Sequence, residues 1–154
     1  MEDEATLIDL LDHGIVVKDI EGSSTDEIYK NICNLIKLPN EVSKDSVYAA
    51  LCDRERVMST AVGYGIALPH CRGTILKNNN EQQISICYLK NTLDMKAPDT
   101  RHVYVMFVIL TSNSKTHLQV LSQLASLFNN SKFRSVLESH ADKEEILKTV
   151  QEQL

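Results

Sequence analysis

The segment RERVMSTAVGYGIALPHCR, Arg54 to Arg72, gathers the residue types with the widest chemical scope in the chain. Pro69 lacks an N–H and restricts Leu68 to an extended conformation, so a strand is expected to leave its ladder there. His70 then stands at a strand end, facing the kind of crevice where α/β proteins place their chemistry. Neutral imidazole is nucleophilic near pH 7 and holds covalent intermediates. Phosphoryl relay suits such a group: the phosphoramidate bond is labile, and the protein supplies mainly position and charge neutralisation. Arg54 and Arg72 flank the segment, and guanidinium matches phosphate oxygens in charge and fork geometry. Gly63 and Gly65 permit a sharp turn just before the histidine.

Other reactive residues read more plainly. Of the five histidines, His13 and His140 lie beside turns and His102 opens a strand, so structural or solvated roles are expected. His117, early in a helix, is by itself a polar residue at a helix start. Arg54 competes with a reading as a surface charge paired with Glu55 or Asp53, and Arg72 does so more readily. Cys71 follows His70 directly, and alternation along an extended backbone points neighbouring side chains to opposite sides. The four cysteines form no CxxC pair, so neither a zinc site nor a disulfide framework is signalled. Cys33 on a helix and Cys87 in a strand read as small buried hydrophobes. No HExxH spacing occurs, and no cofactor or metal is expected.

The elements that must position these residues alternate between helix and strand. Thr6 to Leu11 reads as a short helix ended near Gly14 in a left-handed cap, followed by a strand over Ile15–Ile20. Ser24 with Glu27 forms a capping box for a helix burying Ile28, Ile32, Leu35 and Ile36, closed by Pro39. A helix from Ser43 to Met58 turns Val47, Ala50, Leu51 and Val57 inward. Residues 59–70 read as strand, turn and strand, and 74–83 as an exposed loop. Ile84–Leu89 and His102–Leu110 read as strands, the second apolar enough to be covered on both faces. A helix over Thr116–Phe128 carries Leu118, Leu121, Leu124, Ala125 and Phe128 on one core stripe. Ser131 and Asp142 then cap two short helices. The pattern predicts one α/β domain over 1–154, three layers α/β/α, with a central mixed β-sheet flanked by helices on both faces.

The chain has 154 residues, enough for a full core without metals or disulfides. With 43% hydrophobic and 24% charged residues it is neither disordered nor membrane-like in composition. A net charge of −5 does not favour nucleic acid or anionic lipid. No apolar run has the length of a membrane span, and the acidic start MEDEATLIDLL does not resemble a secretion signal. A cytoplasmic location is expected.

With these residues in view, the segment resembles the active-site signature of the type 2 IIA family of bacterial phosphotransferase systems, the fructose, mannitol and nitrogen-regulatory class. The matching features are Glu55, six residues, then V-G-x-x-I-A-L-P-H ending at His70. LIDLLDHGIVVKDIEGSSTDEIYKNICNLI and THLQVLSQLASLF resemble the family's opening elements and the helix bearing its second histidine, here His117. The resemblance implies that His70 is phosphorylated, on Nε2, by the phosphohistidine of HPr or a nitrogen-branch relative. It implies too that Arg54 and His117 line the same pocket and steady the phosphate; Arg72, flanking the motif, is a further candidate contact. A IIB domain or regulatory target proteins would be the next partner; no fused IIB or IIC domain is seen, which favours the regulatory version. Cys71 stands where the family commonly has Gly, Tyr64 where several relatives have Asn, and Thr111–Asn113 where a proline is frequent. These differences bear on the rim of the pocket and on partner choice. The rival reading is a non-catalytic binding module with His70 unused; a metal-dependent hydrolase is a distant third.

Overall fold

The computed structural model describes residues 5–154. The chain runs α1 (Leu7–His13), β1 (Val16–Ile20), α2 (Thr25–Leu35), α3 (Lys44–Val57), β2 (Ala61–Gly63) and β3 (Ile66–Ala67). A 3-10 turn (Asn79–Glu81) precedes β4 (Gln83–Leu93) and β5 (Val103–Leu110), and α4 (Ser114–Phe128), α5 (Ser131–Glu138) and α6 (Lys143–Gln153) complete it. The strands form one mixed sheet in the order β1-β4-β5-β3-β2. β1 is parallel to β4 and β3 to β5, while β4 with β5 and β2 with β3 are antiparallel.

Alternation along β5 explains why VYVMFVIL is almost wholly apolar. Met106, Val108 and Leu110 enter one core with Ile28, Ile32, Val47 and Leu51 from α2 and α3. Val105, Phe107 and Ile109 enter the other, against Leu10, Val120, Leu124, Phe133 and Ile146 from α1, α4, α5 and α6. Each fully buried side chain of this size stabilises by about 1.5–3 kcal/mol relative to exposure. The three-layer expectation holds.

Several local expectations are corrected. Gly14 is extended (φ −81°), not left-handed; a Cβ there would lie 2.0 Å from the Ile84 carbonyl oxygen, so close approach of α1 to β4 is what requires glycine. Ser24 does cap α2, but the Glu27 carboxylate bonds the N–H and hydroxyl of Ser23 instead of closing a box on Ser24. Leu35 and Val57, the last residues of α2 and α3, are exposed. Asn113 starts α4 two residues earlier than expected, and Asn130, not Ser131, caps α5. On α4, Thr116, Val120, Leu124, Leu127 and Phe128 face the core, while Leu118 is 67% exposed.

Candidate functional site

β3 is short, yet the backbone stays beside β5 through Leu68 and Pro69. The Ile109 N–H donates to the Pro69 carbonyl (2.9 Å), and His70 forms an isolated parallel bridge with Ile109. The expectation that the strand leaves its ladder at Pro69 is therefore corrected by one residue: the missing N–H is that of Pro69, but its carbonyl still pairs. His70 is indeed at the strand end, half-buried.

One cleft of about 290 Å³ brings His70 together with Arg54, Arg72 and His117, lined also by Val57, Met58 and Cys71. α3 delivers Arg54 from its last turn, where the guanidinium Nη1 donates to the Met58 carbonyl at 2.6 Å. α4 delivers His117 from its first turn, with the ring centroid 5.2 Å from that of His70 and tilted 51°. Arg72 is exposed on the loop after His70. Four residues from three stretches of the chain, expected at one site, share one opening.

The protonation state of His70 follows from its surroundings. Its Nδ1 lies 2.6 Å from the Leu68 carbonyl oxygen, an acceptor only, so Nδ1 carries the hydrogen and Nε2 the lone pair. Burial, helped by Arg54, pulls its pKa below the usual 6.5, against opposing contributions from the Leu68 carbonyl and the Glu55 charge. The ring is thus a neutral imidazole at pH 7 with its lone pair on Nε2. His117 is also pulled down, first by burial and then by His70. Its Nδ1 lies 3.2 Å from the hydroxyl of Thr111, which is buried at the end of β5.

Cys71 departs in part from expectation. It packs into the core on the α2–α3 side, and burial pushes its thiol up to about 11, so it is not a nucleophile at neutral pH. It nonetheless forms part of the cleft wall. Among the described residues no cluster of three metal-ligating side chains occurs. His13 bonds the Gln82 carbonyl, His140 stacks on Tyr88 and Tyr104, and His102 is exposed, all away from the cleft.

Sequence reasoning did not find Thr111 as the partner of His117, since no local pattern links a strand-end threonine to a side chain six residues on. It also placed Val57 in the core, whereas Val57 and Met58 are 62% and 69% exposed at the rim.

The comparisons with known proteins give the family and the fold. Residues 9–153 match the family described as phosphoenolpyruvate-dependent sugar phosphotransferase system, EIIA 2. The chain belongs to that family. It is 31% identical over 134 residues to the nitrogen regulatory protein of Pseudomonas aeruginosa, covering 84% of each. The nitrogen regulatory protein IIA-Ntr of Neisseria meningitidis superposes with a TM-score of 0.75 at 29% identity, covering 91% of this chain and 94% of that one. The Escherichia coli mannitol IIA enzyme, solved in complex with phosphorylated mannitol IIB, shares the fold: TM-score 0.62, 18% identity, 88% and 93% covered. The family member described here contains no helix among its described residues long and apolar enough to cross a membrane.

Proposed function

We propose that this EIIA chain is a cytoplasmic phosphoryl carrier that takes its group on His70 Nε2 from the phosphohistidine of an HPr-like protein. The observation that carries the reading is the Nδ1–Leu68 hydrogen bond, which leaves Nε2 unprotonated in a cleft with two arginines. In the transfer, the Nε2 lone pair forms a new N–P bond as the donor's N–P bond breaks. The bonding pair returns to the donor imidazole. The Nδ1 proton of His70 stays in place, and the Leu68 carbonyl steadies the positive charge that the ring acquires. Arg54 and His117 neutralise and orient the phosphoryl oxygens, with Arg72 at the open side. Donation from the Thr111 hydroxyl to His117 Nδ1 would leave His117 an Nε2–H to offer to phosphate.

The onward step we favour is regulatory. The likeness to nitrogen regulatory proteins supports it. Adding roughly −2 charge at His70 changes the electrostatics of a docking face and so the choice of target. The second reading, delivery to a sugar-specific IIB domain, draws on the fold shared with mannitol IIA in its complex with IIB.

Incubation with phosphoenolpyruvate, enzyme I and HPr or its nitrogen-branch relative, followed by phosphate mapping, tests the carrier role. Label on His70 that is absent from His70→Ala is expected. A competent donor that leaves the wild type unlabelled would sink the reading and favour a non-catalytic binding module. Chase with a IIB domain separates the two onward steps, because only a sugar-specific carrier should discharge onto it.

A further inference from the structure

The β2–β3 hairpin is asymmetric where it approaches His70. In an antiparallel ladder, residues facing each other as a hydrogen-bonded pair exchange both N–H···O bonds. Thr60 and Leu68, flanking the Ala61–Ala67 pair, make only one: the Leu68 N–H donates to the Thr60 carbonyl at 3.0 Å. The Thr60 N–H turns instead to the carboxylate of Glu55, at 2.8 Å. The Thr60 hydroxyl donates to the same carboxylate at 2.7 Å, and so does the Tyr29 hydroxyl from α2. The Leu68 carbonyl, which a regular ladder would spend on Thr60, instead accepts from the Nδ1–H of His70.

We infer that Glu55 is a positioning residue for His70: by taking the Thr60 N–H away from the ladder it leaves the Leu68 carbonyl free to fix the His70 tautomer. Glu55 does not line the cleft. It acts from the last turn of α3, one residue from Arg54, so the same helical turn that aims the guanidinium also sets the nucleophile. Three donors converge on its two oxygens, an arrangement that a carboxylate satisfies and a neutral side chain of the same shape satisfies only in part. A buried carbonyl does not stay unpaired. With Glu55 gone, the Thr60 N–H and the His70 Nδ1–H compete for Leu68, and the ring is released. The inference deepens the carrier reading, since a fixed Nδ1–H is useful only where Nε2 must be the nucleophile.

The test is nitrogen-15 NMR of the His70 ring in the unphosphorylated protein, which needs no transfer to occur. The wild type is expected to show the Nδ1–H tautomer alone, and a wild-type Nε2–H tautomer overturns the inference outright. Glu55→Ala is expected to show mixed tautomers. Glu55→Gln, whose amide oxygen still accepts the Thr60 N–H, should keep the single tautomer. Glu55→Leu, which fills the space without an acceptor, replaces alanine if that variant does not fold cooperatively. Treatment with phosphoramidate supplies a second readout by phosphorus NMR. Label confined to Nε2 is expected in the wild type and in Glu55→Gln. In Glu55→Ala the rate should fall about tenfold, the scale of one lost hydrogen bond to a charged group, with Nδ1 label appearing. Wild-type tautomer and regiochemistry in the alanine or leucine variant would overturn the inference. That result would leave the carrier role standing, which depends on protein-donated label instead.

Discussion

His70 and Leu68 are two residues apart in sequence, and the ring of the first closes back on the carbonyl of the second at 2.6 Å. The bond is local, but it exists because the ladder partner of that carbonyl is engaged elsewhere. In the carrier role proposed above, an imidazole held in this way has a definite pH signature.

The pKa of His70 lies below its usual 6.5 through burial, and acceptance requires the neutral ring. Labelling by a phosphohistidine donor should therefore rise with pH to a plateau and fall to half at a midpoint below pH 6.5. Proton NMR titration of the ring should give the same midpoint. A midpoint above 6.5 would contradict the burial seen here.

The same depression bears on stability. For His70 and His117 the folded value lies below the unfolded one, so the fold prefers the neutral rings. Their contribution is complete above about pH 6.5 and is lost as pH falls from there through the depressed values. Thermal midpoints measured between pH 7.5 and 5 should drop less steeply in His70→Gln/His117→Gln than in the wild type.

Much of this site was legible in the sequence, for a physical reason. The glycines, Pro69, His70 and Arg54 are consecutive constraints on one stretch of backbone, so their meaning is local. The three-layer fold was legible too, because strand alternation and helical periodicity record burial directly. What escaped were relationships between elements. The extended Gly14 answers to the Ile84 carbonyl, and the exposure of Leu118 to the face that α4 packs against the core. Thr111 answers to a histidine one helical turn into the next element.

Gly14→Ala tests the first of these. Its Cβ would meet backbone, not a flexible side chain, so α1 or β4 must shift. The expected loss is about 3 kcal/mol, the upper range for overpacking a tight site. Urea unfolding should show a lower midpoint with an unchanged slope. A loss below about 0.5 kcal/mol, typical of exposed surface changes, would refute the close approach.

Thr111→Val keeps the shape of the strand end and removes the hydroxyl from His117. The labelling rate from a protein donor should fall about fivefold to tenfold, the scale of one hydrogen bond, with KM for the donor unchanged. Thr111→Ser should recover most of the rate. Equal rates in the valine variant and the wild type would show that His117 orients without this partner.

The rim of the cleft makes a different prediction from its interior. Met58 and Leu118 are 69% and 67% exposed, Met58 in the cleft wall and Leu118 one residue after His117. In the proposed transfer, side chains so placed would touch a docking protein before any phosphoryl group moves, and apolar anchors at such rims carry much of the binding energy. Met58→Asp and Leu118→Asp should each raise KM for a phosphohistidine carrier about tenfold or more, while labelling by phosphoramidate proceeds at the wild-type rate. Both positions are solvent-exposed, so the thermal midpoint should move little. An equal loss with protein and small-molecule donors would mean that the substitutions disturb His70 itself, and the rim would then have no separate part in docking.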